Sequence, residues 1–204
     1  MITVIDYGLG NVLAIANVYK IANIPVRVAK CKSELEGAEK IILPGVGAFD
    51  YAMRRLQESG MKEFVDDLVN VDHIPVLGIC VGMQMMAKSS EEGALPGLGW
   101  IDSVVKKFDK DKLIEKTGLP HMGWNDYRVV RSMGLLNNLE SHAKSYFLHS
   151  YYMKCNYNDD ILALTEYGIE FASVVNHGNV FGVQFHPEKS HEYGSRLLLN
   201  FAEL

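Results

Sequence analysis

Along the first half of the chain, short apolar runs alternate with stretches whose apolar positions recur every three to four residues. Ile2 to Ile5, Pro25 to Ala29, Lys40 to Leu43 and Pro75 to Ile79 are compact and rich in β-branched residues, and they read as strands. Asn11 to Ala22, Phe49 to Glu58, Met61 to Val69 and Val81 to Lys88 carry helical spacing, with Asn11 placed to cap the first of them. Such alternation predicts βαβ units around a parallel sheet. After Gly99 the texture changes to β-rich runs at Trp100 to Phe108, Ser145 to Met153, Ile161 to Glu166, Phe171 to Asn176 and Val180 to Phe185. These are expected to extend the sheet as antiparallel strands, before a closing helix from Tyr193 to Leu204. The expected fold is therefore α/β and three-layer, a mostly parallel sheet flanked by helices, with antiparallel strands in the C-terminal half. No repeat, low-complexity tract or linker interrupts the pattern, so residues 1–204 are expected to form one domain. The polar stretch from Asp109 to Thr117 reads as the most flexible loop.

Composition narrows the field by exclusion. At 204 residues and 48% hydrophobic content, the chain can bury a full core. Its formal charge of −5 provides no electrostatic reason to expect nucleic acid or an anionic membrane as partner. No run approaches the roughly 18 consecutive apolar residues of a membrane span. The apolar start at Met1 to Ile5 is short and lacks the basic residues of a signal peptide, so a cytoplasmic location is expected. Three cysteines without a secretory signal argue for reduced thiols, and none has zinc-ligand spacing. Gly8-x-Gly10 after the first strand resembles the start of a dinucleotide loop. The third glycine would fall at Leu13, and the acidic residue near the end of the second strand is missing, so that cofactor is rejected.

The candidate chemistry lies in three places. Pro75-Val-Leu-Gly-Ile-Cys80-Val-Gly-Met-Gln84 is an apolar strand running into Gly-x-Cys-x-Gly and then a helical stretch, the pattern of a nucleophile elbow that presents its side chain above the sheet. A helix starting behind Cys80 would direct free N–H groups at the sulfur and favour thiolate. Val183-Gln-Phe-His-Pro-Glu-Lys-Ser190 supplies His186 as a base for the thiol and Glu188 as the group that orients it. One residue separates the two, so in an extended segment they would point the same way, and Pro187 disfavours a helical His186. Ile41-Ile-Leu-Pro-Gly-Val-Gly-Ala-Phe49 ends in a glycine-rich turn. With the Val81 N–H, the Gly45 to Gly47 loop can bind an oxyanion. Cys31 and Cys155 lack the neighbours of a reactive thiol.

Taken together, Pro44-Gly-Val-Gly-Ala-Phe49, Leu77-Gly-Ile-Cys-Val-Gly-Met-Gln84 and Gln184-Phe-His-Pro-Glu-Lys-Ser190 resemble the blocks of triad-type, class I glutamine amidotransferases, in the order Cys, His, Glu. Asp6-Tyr-Gly-Leu-Gly-Asn11, His121-Met-Gly-Trp-Asn125 and Phe147-Leu-His-Ser-Tyr-Tyr152 are similar to the glutaminase subunits of imidazole glycerol phosphate synthase, and the likeness spans the whole chain. The resemblance implies a Cys80, His186, Glu188 triad, an oxyanion hole from Val46, Gly47 and Val81, and glutamine held near Gly45, Gln84, His149 and Ser150. Gln84 also falls one helical turn after Cys80 and shares its face. The resemblance further implies that Asn11, Trp124 and Lys189 face a (β/α)8-barrel cyclase subunit, which takes the ammonia into histidine biosynthesis, with no metal or cofactor in this chain. Two departures stand out: the first helix reads Val12-Leu-Ala-Ile-Ala16 where the family usually has a serine, and the elbow reads Met-Gln-Met-Met where leucines are commoner. They leave open a paralogous glutaminase serving an N-acetyl sugar amidotransferase. A cysteine protease or thioesterase shares the triad chemistry and differs in the pocket. A non-catalytic module of the same fold is the alternative from another class.

Overall fold

The computed structural model describes residues 1–109, 111, 118–139 and 143–204. Most of the loop expected at 109–117 lies outside the described residues. The first half alternates as the pattern requires: β1 (Ile2–Ile5), α1 (Val12–Ile21), β2 (Val26–Ala29), α2 (Lys32–Leu35), β3 (Lys40–Gly45), α3 (Phe49–Glu58), α4 (Lys62–Asn70), β4 (Val76–Cys80) and α5 (Val81–Met85). The short α2 is absent from the sequence pattern because four residues carry too little periodicity to register. The second half holds β5 (Ser89–Ser90), β6 (Ser103–Lys107), β7 (His121–Asp126), β8 (Arg128–Val129), β9 (Lys144–His149), β10 (Tyr151–Cys155), β11 (Ile161–Tyr167), β12 (Ile169–His177), β13 (Val180–Val183) and α6 (His191–Glu203).

Eight strands form the main sheet in the order β2-β1-β3-β4-β13-β12-β11-β8. Its first five are mutually parallel and the rest antiparallel, in a three-layer α/β arrangement. Every residue of β1, β4 and β13 is buried, as parallel strands covered on both faces must be. On α3 the buried positions are Phe49, Ala52, Met53 and Leu56, one apolar stripe at helical spacing. Helices α1 and α6 pack together, and the Tyr19 hydroxyl of α1 donates to the Leu198 carbonyl of α6 at 2.8 Å.

Two expectations about strand pairing are corrected. The runs at Trp100 to Phe108 and Ser145 to Met153 do not extend the main sheet. Ser150 splits the second run, so that β10 joins β6 and β5 in a three-stranded sheet while β9 pairs with β7 in a separate ribbon. Nothing in the sequence pattern marks β7 as a strand, because His-Met-Gly-Trp-Asn-Asp lacks β-branched residues. In the other case β13 runs parallel to β4, with Val180 opposite Val76, and antiparallel to β12. A period-two pattern orients side chains but does not choose a strand's neighbour. The helix expected from Val81 to Lys88 also stops at Met85. The Met85, Met86 and Lys88 carbonyls there accept from Leu98, Ile101 and Gly97, which draws the chain out of the helix.

The fold is closest around the turn from β4 into α5. A Cβ on Gly82 would sit 1.9 Å from the Leu43 carbonyl oxygen of β3, and one on Gly45 would sit 2.4 Å from the Gly82 nitrogen. Both contacts are with backbone, which cannot swing aside. Gly82→Ala is therefore expected to lower unfolding free energy by about 2 kcal/mol or more, as overpacking does. Gly37→Ala, strained at φ +68 but with nothing near its Cβ, should cost about half as much or less. Urea denaturation decides it, and equal losses would contradict the close approach.

Candidate active site

Cys80 occupies the turn itself, with φ 56 and ψ −112, a conformation that costs a side-chain-bearing residue about 1–3 kcal/mol. The sharp bend is thus made at the cysteine. The flanking glycines serve a different end from the one the motif suggests, since Gly78 and Gly82 allow α5 to press on its neighbours. The sulfur lies 3.9 Å from the Leu148 carbonyl of β9, and the Gln184 side-chain amide donates to it at 3.9 Å.

His186 follows β13 in extended conformation, as the residue before proline should. Its partner is reached differently from the extended segment expected, because Pro187–Lys189 forms a 3-10 turn. Proline is well suited to the first position of such a turn, where its missing N–H is not needed. The His186 Nδ1–H still donates to Glu188 Oε1 at 3.0 Å, with both side chains buried. The His186 main chain is clamped as well: its N–H donates to the Tyr146 carbonyl at 2.9 Å, and its carbonyl accepts from the Ser190 hydroxyl at 2.6 Å. Burial works against the charged imidazole, but the hydrogen bonds and charges of Cys80 and Glu188 outweigh it and push His186 up to about 10. The arrangement suits a thiolate paired with an imidazolium, with Nδ1 committed to the carboxylate and Nε2 left for the sulfur.

A cavity of about 250 Å3 opens over this pair, lined by Val46, Gly47, Cys80, Val81, Gln84, His149, Ser150 and His186. Of the residues expected to form the hole and hold substrate, Gly45 alone stays behind the wall, pressed on Gly82. Glu92, Pro120, Leu148 and Tyr151 complete the lining; Leu148 and Tyr151 fall within the Phe147 to Tyr152 block, and no sequence motif points to Glu92 or Pro120. Glu92 follows a polar stretch, and its side chain accepts the Phe49 N–H at 2.9 Å. Among the described residues it is the single carboxylate on the wall.

Two expected substrate contacts are already engaged. The Gln84 amide donates to the Tyr151 carbonyl and to Gln184 Oε1, both at 3.0 Å. His149 is tied at both nitrogens. Its Nδ1 lies 2.8 Å from the Tyr151 carbonyl, which can only accept, so Nδ1 carries the proton and Nε2 accepts from His121 Nδ1 at 3.0 Å. His121 Nε2 then accepts from the Asn125 amide at 3.2 Å. Every member of this chain is satisfied with both rings neutral, and burial lowers His121 to about 4 and His149 to about 3.

Outside the cavity, Lys189 is exposed, with Nζ 5.8 Å from the Tyr146 ring, and Trp124 stacks on His191 at 4.8 Å while remaining 46% exposed. Asn11 is exposed at the start of α1, where its side chain makes no capping bond, and α1 lies against the Pro187–Lys189 turn. Among the described residues, no helix is long and apolar enough to cross a membrane.

These environments are separable by titration. His186 is expected to stay protonated through the neutral range and to lose its proton only toward pH 10, while His121 and His149 stay neutral down to about pH 4 and 3. In Cys80→Ala the sulfur's hydrogen bond and charge disappear and burial remains, so the His186 titration should move down. Imidazole 15N shifts followed against pH give all three, and an unmoved His186 in the variant would exclude the sulfur as its partner.

Known proteins resemble this chain over essentially its whole length. The family described as "Glutamine amidotransferase class-I" matches residues 3–203. Over 204 residues and the full length of both chains, the protein is 57% identical to "Imidazole glycerol phosphate synthase subunit HisH" of Bdellovibrio bacteriovorus and 50% identical to that of Leptospira interrogans. It is 44% identical over 204 residues, again the full length of both, to "Imidazole glycerol phosphate synthase subunit HisH 2" of Pseudomonas aeruginosa. In fold it resembles a putative GMP synthase subunit from Thermoplasma acidophilum, with TM-score 0.73, 24% identity and coverage of 99% of this chain and 92% of that one. A structure described as a glutamine amidotransferase has TM-score 0.74 at 20% identity, covering 100% of this chain and 99% of that one. The elbow, the carboxylate-held histidine and the full-length likeness lead to one conclusion: this chain belongs to the class I glutamine amidotransferases.

Proposed function

We propose that the chain is the glutaminase subunit of an imidazole glycerol phosphate synthase, hydrolysing glutamine to glutamate and ammonia for a (β/α)8-barrel cyclase subunit. The observation that carries the chemistry is the buried His186, coupled to Cys80 on one side and held by Glu188 on the other. The Cys80 thiolate attacks the side-chain amide carbon of glutamine, and the resulting oxyanion takes N–H bonds from Val81 and the Val46 to Gly47 segment. His186, as imidazolium, gives its proton to the departing ammonia. It then takes a proton from water, which attacks the thioester carbonyl and releases glutamate and the thiolate. Glu188 holds the ring orientation through both steps, and Glu92 supplies negative charge to the cavity for the substrate's α-ammonium. Cavity size favours a free amino acid over a polypeptide, against the protease reading.

The synthase pathway rests on the relatives above, each named as that synthase's subunit. The docking face is supported by a crescent of exposed apolar side chains around the cavity. Val46 and Leu148 stand on its rim, and Met122 of β7 is paired with Leu148 in the ribbon and is 64% exposed. Trp124 and Lys189 continue it. A barrel seated there would cover the cavity mouth and receive ammonia without loss to solvent.

A glutamine-analogue electrophile is expected to label the chain once, at Cys80. Cys80→Ala and His186→Ala should lose several orders of magnitude in turnover, while His73→Ala should change little. Labelling at Cys31 or Cys155 would remove Cys80 from its role. The isolated chain is expected to hydrolyse glutamine poorly, and the barrel with its ligand to raise turnover at least tenfold, about 1.4 kcal/mol in barrier. Lys189→Ala should weaken that activation more than the basal rate. Full turnover by the chain alone, unchanged by the barrel, would contradict the coupling.

A further inference from the structure

Tyr7 lies in Asp6-Tyr-Gly-Leu-Gly-Asn11, between β1 and α1, and its side chain is directed into the protein. It is 3% exposed, and its hydroxyl donates to the Pro44 carbonyl of β3 at 2.7 Å. Met85 Sδ of α5 lies 3.5 Å from the same oxygen. One hydroxyl thus touches the strand that enters the glycine loop and the helix that follows Cys80.

The Pro44 carbonyl and the Gly45 N–H belong to one planar peptide unit, so a bond that fixes the oxygen also fixes the direction of that N–H and the course of the chain beyond it. The loop is held at this end and again at Phe49, which is buried and whose N–H donates to Glu92 Oε2 at 2.9 Å, with Val46 and Gly47 between the two anchors. Gly10 packs against Pro44 so closely that a Cβ there would come within 2.6 Å of Pro44 Cβ, and Gly45 is pressed on Gly82. Gly47, at φ +86, has nothing within 4 Å of where a Cβ would stand, and Val46 is 37% exposed. With few packing contacts of their own, the peptides at Val46 and Gly47 take their orientation from the anchors on either side, and the Pro44 to Gly45 peptide is the one that directly precedes Val46. Packing restrains translation there, whereas a hydrogen bond restrains rotation of the peptide plane.

We propose that the Tyr7 hydroxyl is the positioning group of the oxyanion loop, holding the Pro44 to Gly45 peptide so that the N–H groups following it point into the cavity above Cys80. The inference rests on the glutaminase reading and assigns Tyr7 no contact with substrate. Its signature is selective. Acylation of Cys80 by glutamine passes through an oxyanion and needs the loop. Alkylation by iodoacetamide, in which the thiolate sulfur displaces iodide, develops no oxyanion and needs only the reactive sulfur.

Tyr7→Phe removes the hydroxyl and keeps the ring. In the complex with the barrel and its ligand, kcat for glutamine hydrolysis is expected to fall about tenfold with KM within about twofold, less than the loss of a whole oxyanion donor. The rate of Cys80 alkylation by iodoacetamide and the thermal midpoint of the complex are read alongside. Alkylation should stay within about twofold of the parent protein. Met85→Leu, which removes the sulfur contact and leaves the Pro44 bond, should retain hydrolysis. Unchanged hydrolysis in Tyr7→Phe overturns the proposal. So does an equal fall in hydrolysis and alkylation, or a Met85→Leu loss as large as that of Tyr7→Phe, since either would place the effect in packing. A parent complex that alkylates at Cys80 yet hydrolyses no glutamine would instead overturn the glutaminase reading, and this inference with it.

Discussion

The backbone contact between β3 and the start of α5 is the constraint on which the site depends. Leu43 and Gly45 of β3 lie so near Gly82 that no side chain fits between them. This closeness sets the glycine loop beside the Val81 N–H, with Gly45 opposite Cys80 in the parallel register. It also leaves Cys80 no relaxed path from strand to helix, so the turn is taken at positive φ by the cysteine itself. Strain of about 1–3 kcal/mol is held there by packing on both sides, and what it accomplishes is presentation of the sulfur in the cavity.

Three buried histidines near this cavity show how environment divides one residue type into opposite states. His186 faces a carboxylate and a sulfur, which together favour the imidazolium against the cost of burial. His121 and His149 face each other, an amide and a carbonyl, and no anion among the described residues offsets their desolvation. The neutral pair has one consistent set of tautomers, running from Asn125 on the exposed strand β7 to the Tyr151 carbonyl on the cavity wall. Gln84 bonds the same carbonyl, so the polar chain continues through Gln184 to Cys80. A satisfied buried network of this kind rigidifies what it joins.

The site also sits where the topology reverses. Parallel strands β3, β4 and β13 deliver the glycine loop, Cys80 and His186 to one edge of the sheet, the place where open α/β sheets bind ligands. The β7–β9 ribbon, which does not belong to that sheet, forms a wall over this edge and brings Leu148, His149, Trp124 and Met122 to it. Cavity wall and exposed apolar face are thereby two sides of one small ribbon, which ties substrate binding to whatever docks outside.

By itself, the amino-acid sequence determined the alternation of strands and helices through α5 apart from the short α2, the strand-to-helix turn at Cys80, the glycine loop after Pro44 and the placement of His186 beyond a strand. Each of these depends on local periodicity, on proline and glycine, or on residue types adjacent in the chain, and local rules are written locally. The likeness of the six blocks, Asp6 to Asn11 and His121 to Asn125 among them, carried the family. Only the tertiary structure decided which strands pair, because the period-two pattern of β6, β10 and β13 is the same whichever neighbour they take. It alone showed that Glu188 reaches His186 from a 3-10 turn, that Gln84 and His149 are bound to other protein groups, and that Trp124 is half exposed. The same holds for Glu92 and Tyr7, which meet the site from distant segments. A contact between residues far apart in the chain is a property of packing, and no pattern along the chain records it.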